Sequence, residues 1–237
     1  MTGLAIVLSA LGLAGVATLL MQPVPPLTGL PDVLTNRALL AIQPAILTLI
    51  CVGIGVFAAP RVGLAASGLA ALLAGDSPWT VWRAALVPVL AVGICASAVI
   101  LIYGILSAPH LGEAAGQGAP ILSRLLYGGL TEEIIARWGV MSLLVWLALR
   151  VLPESDLAYW IGIAGAALLF ALAHLPMIFA LVAAPPAGLI LTVIAANALA
   201  GAGFGWLFWR HGLEAAMAAH VLAHLVVYVG QALAGRA

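Results

Sequence analysis

Three ionisable side chains, Glu132, Glu133 and Arg137, lie inside an apolar run that extends from residue 121 to residue 152. At the centre of a membrane helix each such charge costs roughly 2.5–3.5 kcal/mol even on the mildest scale, so it needs a partner or water. On an α-helix Glu133 and Arg137 share a face and can neutralise each other. Glu132 is rotated by about 100° from Glu133 around the helix, so its carboxylate is not paired with Arg137 and keeps spare capacity to bind another group. The spacing predicts a buried polar site, or alternatively a purely structural ion network.

Three histidines occur in other apolar stretches. His174 ends the segment Phe170-Ala-Leu-Ala-His174. A lone histidine in a membrane helix more often has a structural hydrogen-bonding role than a catalytic one. His220 and His224 are four residues apart and share one helical face, which is expected to point into the protein. With a rise of about 1.5 Å per residue, Glu132 and the three histidines lie within roughly 6 Å of their segment midpoints. They could converge on one pocket, where a Glu–His pair could activate water.

The composition is that of a multi-pass membrane protein. Hydrophobic residues make up 65% of the chain and charged residues 7%, far below the roughly 25% typical of soluble domains. The eight basic residues are all arginine and are balanced by eight acidic ones. No basic patch is available for nucleic acid. Cys51 and Cys95 fall in apolar segments and are predicted to be small core residues.

The predicted fold is an all-α polytopic transmembrane helix bundle. A span needs about 20 apolar residues, and seven segments satisfy this rule: 3–21, 38–59, 84–107, 121–152, 158–183, 187–209 and 213–233. Residues 62–75 are apolar but short, which favours an interfacial or re-entrant helix and gives eight spans if the segment crosses. Residues 22–36 and 108–120 are predicted to be exposed loops.

The sequence indicates one integrated membrane domain, with N-terminal transmembrane helices in 1–120 and a core carrying the polar motifs in 121–237. The small residues Gly201 and Gly205 predict close helix packing. Arg61, Arg83, Arg150 and Arg210 fall on one side together with most tryptophans, and we predict that this side faces the cytoplasm. High Ala, Gly and Arg usage favours a bacterial inner membrane.

The ordered motifs resemble those of a known family. Glu132-Glu133-x-x-x-Arg137, Phe170-x-x-x-His174, and His220 four residues before a polar position are similar to motifs of the CAAX protease and bacteriocin-processing family. These are intramembrane proteases and include the type II CAAX prenyl endopeptidases. The resemblance covers about 121–233.

The resemblance implies roles for four residues. Glu132 and His174 would activate water, while His220 and His224 would stabilise the oxyanion. Glu133, Arg137 and Phe170 would be structural support. The family usually has Asn, Ser, Thr or Asp where this chain has His224. A neutral imidazole still donates one hydrogen bond, so His224 can stabilise the oxyanion if the ring nitrogen that faces it carries the proton.

Zinc is the alternative reading of the same residues. Glu132, His174, His220 and His224 offer the nitrogen and oxygen ligands that Zn²⁺ binds, and His-x-x-x-His resembles half of a zincin site. Members of the family have been described both as metalloproteases and as metal-free glutamate proteases. We favour catalysis without a metal and without any other cofactor.

The sequence therefore predicts an intramembrane endopeptidase that cleaves a membrane-associated peptide or lipidated protein near or within the lipid bilayer. A non-catalytic immunity or chaperone-like membrane protein could use the same polar cluster to hold its fold. A proton-coupled transporter is a third hypothesis, because Glu and His also form ion paths. The sequence shows no inverted repeat, which weakens the transporter hypothesis.

Overall fold

The computed structural model describes residues 2–22, 37–111, 119–153 and 155–234, without the side chains of 37–40. The regular structure in these ranges is entirely helical, which confirms the predicted all-α class. The predicted loops 22–36 and 108–120 lie mostly outside the described residues. Residues 108–111 are described and continue a helix, so that end of the loop prediction was wrong.

The described residues form ten α-helices. They are α1 Thr2–Thr18, α2 Arg37–Ala58, α3 Ser67–Ala74, α4 Trp79–Leu111, α5 Ile121–Ser123, α6 Ser142–Ala148, α7 Asp156–Leu172, α8 Leu175–Leu181, α9 Ala187–His211 and α10 Leu213–Leu233. Two π-helical segments, Arg124–Glu132 and Ile134–Met141, connect α5 to α6. We call the continuous helical stretch 121–148 the central rod.

Six helices of the described chain are long and apolar enough to cross a membrane, which makes this an integral membrane protein. They match the predicted spans except 121–152, which forms the central rod and its following turn instead of one uninterrupted α-helix. The predicted short helix in 62–75 is α3, whose eight residues extend only about 12 Å. Its length agrees with a segment that does not cross.

The central rod differs from a regular α-helix in its hydrogen bonding. In a π-helix the backbone hydrogen bonds join residues five apart. Such turns are rare in proteins, but those that occur often lie at functional sites. Hydroxyl side chains follow the same spacing: Thr131 Oγ1 lies 3.4 Å from the Leu126 carbonyl and Ser142 Oγ lies 3.3 Å from the Arg137 carbonyl. The rod therefore turns its polar side chains with a different period from the one assumed for 121–152.

Helix α1 holds the first half of the rod. Thr131 Oγ1 donates to the Gly12 carbonyl at 2.8 Å, and Ser123 Oγ donates to the Thr18 carbonyl at 2.9 Å. A Cβ added at Gly15 would overlap Thr131 Oγ1 and the Leu126 backbone. Glycine is needed here because the two backbones approach closely.

Helix α2 holds the second half of the rod. Trp138 is buried and its Nε1 donates to the Val52 carbonyl at 3.3 Å. A Cβ at Gly139 would lie 2.5 Å from the Cβ of Cys51, which is buried as predicted. Cys95 is exposed on α4, so its predicted core position was wrong. Cysteine behaves as a small hydrophobic residue, so Cys95 suits the exposed surface of a helix that is apolar enough to cross a membrane.

Helices α7, α9 and α10 complete the bundle. Added Cβ atoms at Gly201 and Gly205 would lie 3.2 Å from Ala167 and Ile163 of α7, which confirms the predicted close packing. At the start of α10, Glu214 Oε1 accepts a 2.6 Å hydrogen bond from the Leu69 amide at the start of α3. This contact joins the short helix to the final span.

Candidate active site

Glu133 lies at the centre of the polar cluster and is fully buried. One carboxylate oxygen, Oε2, lies 3.1 Å from Arg137 Nε, which confirms the salt bridge predicted from the spacing. The other oxygen, Oε1, lies 2.8 Å from His220 Nδ1. The second contact joins the central rod to α10 and was not predicted. Glu133 therefore contacts one side chain of the central rod, Arg137, and one side chain of α10, His220.

Arg137 is 1% exposed and is enclosed by protein. Its Nη2 donates to the Gly201 carbonyl of α9 at 3.0 Å. Its guanidinium carbon lies 5.0 Å from the ring centre of Phe170 and 5.6 Å from that of Phe204, within cation–π range. The carboxylate, the carbonyl and two aromatic rings thus compensate a buried charge, which agrees with the predicted structural role of Arg137 and Phe170.

His220 is buried between other rings. It stacks on Phe204 with ring centres 4.5 Å apart and on His224 with ring centres 4.9 Å apart. Because Glu133 is the ionised partner of Arg137, it accepts, and His220 donates its Nδ1 proton. The neutral ring then presents an unprotonated Nε2. His220 can give a second hydrogen bond from Nε2 only when that nitrogen also carries a proton.

His174 lies at the break between α7 and α8, where Pro176 takes one of the first positions of the new helix. Its Nδ1 lies 2.8 Å from the Phe170 carbonyl, one turn earlier, and its ring packs edge-on against Phe170. A carbonyl can only accept, so Nδ1 carries the proton and Nε2 is free to act as a base. The Phe-x-x-x-His motif thus fixes the tautomer of the histidine.

Glu132 is half-buried, whereas Glu133 beside it is fully buried. The structure gives its carboxylate no hydrogen bond and no salt bridge with any described residue, in agreement with the spare capacity predicted for it. No direct contact between Glu132 and His174 is seen either. The predicted sharing of a proton between these two side chains therefore requires an intervening molecule, for which water has the right chemistry.

Gly128 marks where the two histidines of α10 face the rod. A Cβ added at this position would lie 2.8 Å from His224 Nε2 and 3.8 Å from His220 Nε2. Because glycine has no side chain, the Nε2 atoms of His224 and His220 lie beside the backbone of the rod, one turn before Glu132. The two histidines of α10 therefore pack closely against the rod at Gly128.

The described residues do not form a metal site. No group of three or more His, Cys, Asp or Glu side chains among them is arranged to hold a metal ion. His220 Nδ1 is already engaged by Glu133. Glu132, His174, His220 and His224 are not gathered into such a group, and no step of the chemistry below is derived through a metal.

Three features of the site were missed by sequence reasoning: the Glu133–His220 contact, the close approach of the two histidines to Gly128 and the stacking of Phe204 on His220. Gly128 and Gly129 directly precede the acidic pair and were the available signal, because paired glycines in a membrane helix indicate close approach. Phe204 carries no such signal, since aromatic residues are common throughout the spans.

A comparison with known protein families found one match. Residues 114–226 match the family described as Type II CAAX prenyl endopeptidase Rce1-like, slightly less than half of the chain. No curated protein and no solved structure was found to match. The matched range includes all three motifs, and the family that it matches is a protease family. The match confirms the resemblance drawn from the motifs.

Proposed function

We propose that this protein is an intramembrane endopeptidase that hydrolyses a peptide bond near or within the bilayer without a metal ion. One observation carries the proposal. Of two adjacent carboxylates, Glu133 is held by Arg137 and His220, whereas Glu132 is free of hydrogen bonds and salt bridges with the described residues. An unpaired acid inside a polar cluster is costly and marks a functional group. The match to a protease family supports the same reading.

In the proposed reaction Glu132 is the general base. It removes a proton from a water molecule as the water oxygen attacks the scissile carbonyl carbon, and a tetrahedral oxyanion forms. The proton then passes to the departing amine, and the C–N bond breaks. His174 assists because its free Nε2 can accept a hydrogen bond from the same water and so orient it.

His220 and His224 are proposed to bind the oxyanion. Their outer nitrogens lie beside Gly128 of the rod, one turn from Glu132. Donors placed where negative charge develops lower the barrier because they need no reorganisation during the reaction. His220 would take part in the form that carries a proton on each ring nitrogen, with Nδ1 donating to Glu133 and Nε2 donating to the oxyanion.

The proposed substrate is a membrane-associated peptide or a lipidated protein, which approaches through the lipid phase. The six apolar helices place the site within an integral membrane protein, and we assign it to a bacterial inner membrane on the basis of its composition. The tryptophan-rich side is assigned to the cytoplasm.

The first prediction tests the general base. Purified protein in detergent is incubated with a peptide library, and cleavage by the wild type is compared with cleavage by Glu132→Gln, whose amide cannot accept the proton. We expect turnover to fall by at least the roughly 10²–10⁴-fold contributed by general acid–base catalysis. Asp156→Asn, an exposed acid-to-amide change at the start of α7, is the matched control. A folded Glu132→Gln variant with undiminished turnover would remove the assignment.

A further inference from the structure

Tyr127 lies one π turn before Glu132 on the central rod. The backbone of Arg124–Glu132 is π-helical, its hydrogen bonds join residues five apart, and Tyr127 and Glu132 have this spacing. In a regular α-helix residues five apart would be separated by about 140° around the axis. The two side chains are close enough to interact electrostatically. The π turn therefore brings a phenol close to the carboxylate proposed as the general base.

The hydroxyl of Tyr127 has no hydrogen bond with any residue that the structure describes. A buried tyrosine hydroxyl usually finds a partner, as Tyr159 does by donating to the Val62 carbonyl at 2.8 Å. Tyr127 is half-buried, and its hydroxyl oxygen is not sealed inside the protein. The rod thus carries a free donor on Tyr127 beside a free acceptor on Glu132, and the two are not bonded to each other.

The oxyanion site proposed above is short of one donor when His220 is neutral. Its Nδ1 proton is given to Glu133, so Nε2 of the neutral ring carries none. His224 then supplies a single hydrogen bond. Tyr127 directly precedes Gly128, beside which the Nε2 atoms of both histidines lie. A phenol donates at neutral pH without any change of protonation, so Tyr127 has the chemistry of the missing donor.

We propose that Tyr127 is a further catalytic residue, whose hydroxyl donates a hydrogen bond to the oxyanion formed at the scissile carbonyl. The proposal rests on the protease function proposed above. Glu132 takes the proton of the attacking water, and Tyr127 stabilises the charge that appears on the carbonyl oxygen one turn away. The phenol keeps its own proton throughout, so the step needs no further reactant. Tyrosine also anchors helices at membrane surfaces, but an anchor needs no carboxylate beside it.

The first measurement compares Tyr127→Phe, which removes only the hydroxyl, with the wild type on the best peptide from the library. We expect kcat to fall by roughly 10²–10³-fold, the usual cost of one oxyanion donor, with KM unchanged. The thermal midpoint should stay the same, because no bond to a described residue is lost. Tyr159→Phe is the matched control on α7. It loses the bond to Val62, so it should keep kcat and lower the thermal midpoint.

A second measurement separates oxyanion binding from an effect on Glu132 or on the fold. The same peptide is prepared with either an amide or a thioamide at the cleaved bond, and sulfur is the weaker hydrogen-bond acceptor. The ratio of amide to thioamide cleavage should shrink in Tyr127→Phe, by up to the factor lost in kcat, because the missing donor served the amide oxygen. Tyr159→Phe should keep the ratio of the wild type.

The outcomes separate this proposal from the protease function. Full kcat in Tyr127→Phe, with Glu132→Gln inactive, would overturn the role of Tyr127 and leave the protease function standing. An equal loss on amide and thioamide would do the same, because the hydroxyl would then act on the base or on the fold. An unfolded Tyr127→Phe would also overturn the role, since it would make the hydroxyl structural. Absence of any cleavage by the wild type would overturn both proposals.

Discussion

Glu132 and Glu133 are adjacent in sequence and have opposite surroundings. Glu133 is fully buried and bonded on both oxygens, whereas Glu132 is half-buried and has neither a hydrogen bond nor a salt bridge with described residues. The first arrangement suits a group that holds other side chains in place, and the second suits a group that must accept a proton. Two residues of the same type can therefore be assigned different tasks from their contacts alone.

Removing the Glu133 carboxylate should cost stability. Glu133→Ala leaves Arg137 buried at 1% exposure without its carboxylate, and breaking a buried ion pair typically costs about 3–5 kcal/mol. The free energy of unfolding in detergent, measured by denaturant titration, should fall by that amount. Glu132→Gln, which breaks no described contact, should change it little. Equal losses in the two variants would contradict the division of tasks.

His224 occupies a position at which the family usually has a smaller polar residue, and its proposed task is to donate one hydrogen bond. Asparagine can do this, so His224→Asn should retain substantial activity, while His224→Ala should lose roughly 10²–10³-fold in kcat, the usual cost of one oxyanion donor. Rates are measured on the best peptide from the library. If Asn is as inactive as Ala in folded protein, His224 transfers a proton or binds a metal instead.

At the scale of elements, the central rod depends on glycines in its neighbours. Its two halves are held by α1 and α2 through close backbone contacts at Gly15 and Gly55, where an added Cβ would overlap Thr131 and Trp138. The same rod carries the acidic pair. Packing of α1 and α2 therefore determines where Glu132 and Glu133 stand relative to α10.

Gly55→Ala should loosen the contact between α2 and the rod. The new methyl group would overlap Trp138, and overpacking typically costs about 1–3 kcal/mol. Gly53→Ala is a matched control two residues away, because nothing lies within 4 Å of its added Cβ. Thermal denaturation should show a lower midpoint for Gly55→Ala and an unchanged or slightly higher one for Gly53→Ala. Indistinguishable midpoints would mean that this contact does not hold the rod.

The sequence predicted those parts of the site that depend on local spacing. Glu133 and Arg137 pair as expected for residues four apart, and His220 and His224 share a face for the same reason. Helical spacing says which face a residue occupies but not which distant helix it meets, so the Glu133–His220 contact across 87 positions was not predictable. The π turns were missed as well, because apolar periodicity does not distinguish them from α-helix.

At the scale of the whole molecule, the region that matches the protease family is bonded to helices that precede it. Thr131 and Trp138 lie within that region and donate to carbonyl groups of α1 and α2, and Glu214 accepts from an amide of α3. All three partners precede the matched residues 114–226. A fragment restricted to the matched region would lack these contacts.

The metal content of the whole protein tests whether water is activated without a metal, as proposed, or by zinc, the alternative considered from the sequence. If Glu132 activates water unaided, exhaustive chelation should leave peptide cleavage unchanged, and elemental analysis should find well below one Zn²⁺ per chain. Stoichiometric zinc whose removal and return switch cleavage off and on would mean that the histidines are ligands and that water is activated by a Lewis acid.

The double contact of Glu133 has a consequence for how such a protein can change over evolutionary time. The same carboxylate neutralises a buried arginine and sets the tautomer of His220. Replacing Glu133 strands both Arg137 and His220, whereas replacing either partner leaves Glu133 bonded to the other. Viable sequences are therefore expected to vary at Arg137 or His220 more readily than at Glu133.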